Sequence, residues 1–238
     1  MTPPPPLRPD AVARARAARA VLFDLDGTLI DTVELILSSF RYATKRVLGA
    51  ALPDEALMRN VGVPLARQMR EFSPEHADEL LRVYREHNAV HHDAMVGEYP
   101  GTKEVLEELR SRGLPMGVVT SKGTTMTRRG LDLFGLGRFF EVVVTADDVQ
   151  THKPDPHPLR VAADRLGIPL EECVYLGDSP HDMLAAVAGG TVAVAALWGA
   201  FSAEDVLAPG PDFALSSIRG LPALLDGDAV EYSTAESI

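Results

Sequence analysis

Six short apolar runs constrain this chain more than any other feature: residues 21–23, Met116–Val119, Val142–Val144, 173–176, 192–197 and Phe213–Leu215. Each has the length of a buried strand and is too short for a core helix. Helical patterns separate several of them. Residues 102–112 put Val105, Leu106 and Leu109 on one face and stop at Gly113. Residues 159–166 repeat the pattern and close at Gly167. Pro115 leads into the second run, and a proline fits only the start of such a strand. Strands alternating with helices predict an α/β fold, a doubly wound parallel sheet with helices on both faces. Such sheets bind ligands outside the carboxyl ends of their strands.

Residues 31–98 break this rhythm. They read as helical throughout: Val33–Leu48 stopped by Gly49, then 54–60, Leu65–Phe72 and 74–95, with no strand. The expected plan is a catalytic core over 20–30 and 99–226, with a small all-helical domain, 31–98, inserted after the first strand. Residues 97–101, with Pro100, form the return hinge. Residues 1–19 read as a flexible lead-in ending in a short helix, and 227–238 as a polar tail.

The net charge of −11 excludes a general affinity for nucleic acid or anionic membranes. No apolar stretch approaches the roughly 20 residues that span a bilayer. The lead-in, with four prolines and then Arg14, Arg16 and Arg19, lacks the apolar segment of a secretory signal. The single cysteine, Cys173, lies in an apolar run and reads as a small buried hydrophobe. With no intramolecular disulfide to form, a reducing cytoplasm is the expected location. If the substrate is an anion, the cation that receives it must be local: a metal, a lysine or a helix N-terminus.

Polar groups follow four of the runs. Asp24-Leu25-Asp26-Gly27-Thr28 follows the first. Two carboxylates two residues apart share one side of a strand and repel each other, a cost that a cation or a role in chemistry offsets. Thr120-Ser121-Lys122 follows the second run, Lys153-Pro154-Asp155 follows the third after a loop, and Gly177-Asp178-Ser179-Pro180-His181-Asp182 follows the fourth. In a parallel sheet all four converge on one crevice. Carboxylates suit a hard ion such as Mg²⁺, and a lysine with hydroxyls suits a phosphate. Metal, phosphate and a carboxylate nucleophile together imply phosphoryl transfer through an aspartyl-phosphate.

These four segments, in this order, resemble the four motifs of the haloacid dehalogenase-like phosphatase superfamily. The helical insertion sits where that family carries a C1-type cap. The resemblance implies that Asp24 is the nucleophile and that Asp26 is the general acid and base. It implies Mg²⁺ held by the side chains of Asp24 and Asp178 and the carbonyl of Asp26, supported by Asp182. Thr120, the Ser121 N–H and Lys153 would hold the phosphate, and Lys122 would reach the substrate. The stretches Tyr84-Arg85-Glu86-His87-Asn88 and Phe139-Phe140-Glu141 resemble the phosphoglycolate phosphatase and pyrophosphatase branch, so 2-phosphoglycolate or inorganic pyrophosphate is the expected substrate. The expected assembly is a monomer or small homo-oligomer.

Other readings compete with this one. A β-phosphoglucomutase-type phosphomutase shares the core, but carries a basic residue where Leu65 stands. A 2-haloacid dehalogenase lacks the second acid of the first motif, so Asp26 argues against it. A non-catalytic binding protein commonly loses a motif residue, and none is missing. Structural roles compete too: Thr28 with Asp31, and Ser179 with Asp182, both fit helix capping boxes. His87 and His91 have a zinc-binding spacing without a third ligand in view and read as an exposed helix face. Among Arg41, Arg46, Arg67, Arg70 and Arg82 of the insertion, one or two could meet a second anionic group of the substrate.

Overall fold

The computed structural model describes residues 10–59 and 61–228. In chain order the strands are β1 (Ala20–Phe23), β2 (Ile30–Asp31), β3 (Gly97–Glu98), β4 (Met116–Val119), β5 (Val142–Val144), β6 (Cys173–Gly177), β7 (Val192–Ala196) and β8 (Phe213–Leu215). The helices are α1 (Ala11–Arg16), α2 (Val33–Leu48), α3 (Asp54–Met58), α4 (Leu65–Phe72), α5 (Ala77–Met95), α6 (Thr102–Ser111), α7 (Thr124–Leu133), α8 (His157–Leu166), α9 (Pro180–Gly189), α10 (Ala203–Leu207) and α11 (Leu221–Asp226). All six expected strands form one parallel sheet in the order β5-β4-β1-β6-β7-β8. The chain winds outward from β1 in both directions, so the crevice opens at the carboxyl ends of β1, β4 and β6.

Alternation along the strands builds two apolar layers. Val21, Phe23, Val118, Val174 and Leu176 face α1, α6 and α11, where Ala15, Leu106 and Leu224 are buried against them. Leu22, Val119, Tyr175 and Ala193 face the other way, toward Leu159 of α8 and Met183 of α9. Both faces of the sheet are therefore covered, as near-continuous apolar strands require.

The insertion has its own core, distinct from both layers. Phe40, Leu57, Met69, Leu80 and Tyr84 cluster where α2 packs along α5. The Phe40 ring meets Phe72 edge-on at 5.3 Å and lies 4.8 Å from Tyr84.

Three expectations need correction. Residues 30–31 and 97–98 form a two-stranded antiparallel ribbon, Ile30 opposite Glu98, where no strand was expected near the insertion. Two residues carry no periodicity, so the pairing comes from the chain crossing itself where it leaves and re-enters the core. Helix 54–60 ends at Met58, and its last expected residue, Asn60, lies outside the described residues. The helix expected from 74 opens with a 3-10 turn, Pro74–His76, before α5 begins. Within the lead-in, Ala11 and Ala15 bury one face of α1 against the core; residues 1–9 and 229–238 lie outside the described residues.

Candidate active site

The Asp24 N–H donates to the Leu176 carbonyl at 2.9 Å, continuing the β1–β6 ladder one residue beyond β1. The chain then turns sharply: the Leu25 carbonyl accepts from the N–H groups of Leu29 and Ile30. Gly27 makes that turn with φ +82°, and a Cβ there would lie 2.2 Å from Asp178 Oδ2. Conformation and space both demand glycine. The Thr28 hydroxyl donates to Asp178 Oδ1 at 3.0 Å, so Thr28 does not cap a helix. Helix α2 starts only at Val33, whose N–H donates to Asp31 Oδ1, because the Ile30–Asp31 strand intervenes.

Lys153 sits at the centre, almost fully buried. Its ammonium donates to Asp24 Oδ1 at 2.8 Å, Asp182 Oδ1 at 2.6 Å and the Tyr175 hydroxyl at 3.1 Å. The Tyr175 hydroxyl donates to Asp182 Oδ1 at 2.8 Å, and Asp182 Oδ2 accepts from the Ser179 N–H and hydroxyl. The Ser179–Asp182 capping box is present at the start of α9. One carboxylate thus ends β6 in a helix cap and fixes the lysine. Both Asp182 oxygens are engaged within the protein.

Burial and charge pull against each other here. Burial alone would lower the Lys153 pKa, but Asp182 and Asp24 hold it above the ordinary lysine range. Burial, opposed by Lys153 and reinforced by Asp182 and Asp178, pushes the Asp24 carboxyl well above the usual carboxylate range. Burial, then Asp182, raises Asp178 to about 7, against hydrogen bonds from Ala200 and Thr28. Burial would raise Asp182 too, but Lys153 holds it low. The buried centre is short of positive charge.

The residues fit a cation. Asp24, Asp178 and Asp182 each bring an oxygen within 4.8 Å of the others, and no other such group occurs among the described residues. Asp178 lies in a cradle of two glycines, since a Cβ on Gly199 would also come within 2.2 Å of its Oδ2. A small, all-oxygen donor set of this kind suits a hard divalent ion.

Beyond β4, the Thr120 hydroxyl accepts from the Lys122 N–H at 3.2 Å. The Lys122 ammonium donates to Asp26 Oδ1 at 2.6 Å, both side chains largely buried. A cavity of about 650 Å³ lies above these groups, between the sheet and the insertion. Asp24, Asp26, Thr120, Ser121, Lys122, Lys153 and Asp178 all line it, whereas Asp182 lies behind it, bonded to the lining residues Lys153 and Ser179. The insertion supplies the opposite wall, with Ile36, Phe40, Met58 and Leu65 beside Tyr84, Arg85 and Asn88. It is a cap in the geometric sense. Arg129 of α7 ties it down, donating to Asp93 and the Ala89 carbonyl of α5.

Other sequence candidates lie elsewhere. His87 stacks between Tyr42 and His91 on the insertion, and neither histidine lines the cavity. Arg41 pairs with Glu34 and Asp54, Arg67 with Glu71, and Arg82 with Glu79 and Glu86. Cys173 is buried, and burial pushes its thiol up to about 12. Sequence reasoning missed Tyr175, hidden as one member of an apolar strand. It also missed Trp198, whose indole N–H donates to the Thr28 carbonyl at 3.1 Å, and the Ala200 N–H, 3.0 Å from Asp178 Oδ2. The Trp-Gly pair just past β7 was the available signal for that loop.

Asp24, Lys153 and Asp182 thus form a buried centre at the strand ends, with Asp26 two residues past Asp24 and the helical insertion above it. The model of the haloacid dehalogenase-like hydrolases matches residues 21–196. This chain belongs to that family. It is 39% identical over 202 residues to the pyrophosphatase PpaX of Bacillus velezensis, covering 85% of this chain and 94% of that protein. It is 39% identical over 207 residues to the pyrophosphatase PpaX of Halalkalibacterium halodurans, covering 87% and 94%. The crystal structure of a hydrolase from Pseudomonas syringae superposes with a TM-score of 0.79 at 27% identity, covering 89% of this chain and all of that one. The chain is accordingly a family hydrolase of the phosphatase type, with a Rossmann-like core and a helical cap.

Proposed function

We propose that the protein is a Mg²⁺-dependent cytoplasmic phosphohydrolase that acts on a small phosphorylated metabolite through an aspartyl-phosphate at Asp24. Residues 20–30 and 99–226 do the chemistry and 31–98 select the substrate. One observation carries the reading: Asp24 and Asp26 end the same strand, yet each has its own lysine, Lys153 at 2.8 Å and Lys122 at 2.6 Å. The two acids are thereby given separate tasks.

Asp24 attacks phosphorus. The leaving oxygen departs on the far side, where Asp26 gives it a proton. Asp26 then takes a proton from the water that attacks phosphorus of the acyl phosphate, and the Asp24 carboxylate is restored. Lys153, the Thr120 hydroxyl and the Ser121 N–H receive the phosphoryl oxygens. An incoming phosphate competes with Asp26 for Lys122, which frees the Asp26 carboxyl to carry a proton. The oxygens of Asp24 and Asp178, with the Asp26 carbonyl, would hold Mg²⁺, and Asp182 would support them. Bound there, the ion supplies the positive charge that lets a carboxylate approach a phosphate.

Inorganic pyrophosphate is the substrate best supported, on the names of the relatives. 2-Phosphoglycolate is the second, since its leaving group is also anionic. Phosphate release from pyrophosphate, 2-phosphoglycolate and p-nitrophenyl phosphate tests the reading. Release with Mg²⁺, lost on chelation and restored by Mg²⁺, is expected. No release from any of the three would overturn it.

A further inference from the structure

The cations lining the cavity are unequally employed. Lys153 is held by Asp24 and Asp182, and Lys122 by Asp26. His152 is pushed down by burial and is neutral at ordinary pH. Arg85 lines the same cavity and has no carboxylate partner among the described residues. The neighbouring Arg82 shows the contrast: it pairs with Glu79 and Glu86 and does not line the cavity. Arg85 instead shares a stripe with Asn88 and Ala89, its i+3 and i+4 neighbours, and all three line the cavity along with Tyr84.

That stripe stands on the side of the second acid. Tyr84, Arg85 and Asn88 of α5 line the same cavity as Asp26 and Lys122, and Arg129 ties α7, the helix that follows Lys122, to α5. In an in-line displacement the leaving group lies opposite the attacking Asp24 and next to the acid that protonates it, hence beneath α5. A leaving group with a second negative charge enters a cavity already lined by Asp24, Asp26, Asp147 and Asp178. It needs a cation that those carboxylates do not hold.

We propose that Arg85 is the specificity residue of the cap, binding the distal anionic group of the leaving group, the second phosphate of pyrophosphate or the carboxylate of a phosphorylated hydroxy acid. This rests on the assignment of Asp24 and Asp26 above. It differs from the five cap arginines that the sequence read mostly as solvated faces, with one or two open to an anionic group, none of which lines the cavity. A guanidinium can form two parallel hydrogen bonds to either group.

The test is the ratio of kcat/KM for pyrophosphate, and separately for 2-phosphoglycolate, to that for p-nitrophenyl phosphate, whose leaving group has no distal anion. In Arg85→Gln the ratio for the better anionic substrate should fall by at least about tenfold, the loss of one charge-assisted hydrogen bond. Arg85→Lys should restore part of it, and Arg82→Gln should leave it unchanged. Gln and Arg have similar helix propensity, so α5 is kept. A ratio that stays within about twofold in Arg85→Gln, even if every rate drops together, overturns the proposal. So does a wild-type enzyme that cleaves only p-nitrophenyl phosphate. Wild-type protein that cleaves none of the three removes the phosphohydrolase reading itself, a result distinct from an active enzyme with an unchanged ratio.

Discussion

The two walls of the cavity are built on opposite rules. On the sheet side nearly every charged group is committed: Lys153 to Asp24 and Asp182, Lys122 to Asp26, Asp178 to Thr28 and the Ala200 N–H. On the cap side the wall is largely apolar, and among the described residues its one cation is Arg85, which has no carboxylate partner there. A network with interlocking partners tolerates little change, because removing one member strands another in a buried site. An apolar wall with a single free charge can change its selectivity without disturbing the chemistry. On the proposed function, the sheet wall would carry the reaction and the cap wall the choice of substrate.

Breaking the sheet side should have the largest effect. Asp24→Asn keeps the shape and a hydrogen bond to Lys153 but removes the proposed nucleophile, and turnover should fall by roughly 10⁴-fold or more while the melting transition survives. A collapsed transition in that variant would make Asp24 structural. Asp26→Ala should cost about 10²- to 10⁴-fold in kcat, with substrate binding much less affected. Near-normal turnover would contradict its role in proton transfer.

The cap side should break independently. Phe40→Ala removes the ring that meets Phe72 and Tyr84 and should destabilise the cap by about 3–5 kcal/mol. Hydrogen exchange should then show amides of α2 and α5 losing protection while those of β1, β4 and β6 keep it. Equal loss in both would mean the two cores are one cooperative unit.

The smallest effect concerns protons and metal. With Asp178 raised to about 7, a metal ion must displace a proton at lower pH. The rise in Tm on adding Mg²⁺ should therefore be smaller at pH 5.5 than at pH 8. The metal-free protein moves the other way. Its folded Asp178 keeps the proton to higher pH than the unfolded chain does, so the fold loses stability as pH rises from about 4 to about 7. A Mg²⁺ effect independent of pH would contradict the assignment of Asp178.

The legible part of this structure was the part governed by local pattern. Apolar runs gave the six sheet strands, and the helix stops Gly49 and Gly167 fell where expected, each a left-handed C-cap. Asp24, Asp178 and Lys153 could be grouped because each follows a strand of one sheet. What escaped depends on contacts distant in sequence. Thr28 looked like a cap, and only the fold brings Asp178 to it across 150 positions. Tyr175 read as core because an aromatic in an apolar strand gives no sign of where its hydroxyl ends. Arg85 could not be told from the other cap arginines, since the side of α5 that meets the sheet is set by tertiary packing.

The central claim is a covalent intermediate on one carboxylate. Acid quenching during turnover, followed by borohydride reduction, converts an acyl phosphate to the corresponding alcohol, and peptide mass spectrometry locates it. Homoserine is expected in place of aspartate at position 24, dependent on substrate and absent from Asp24→Asn. Homoserine at another carboxylate, or none at position 24 while phosphate is released, would contradict it.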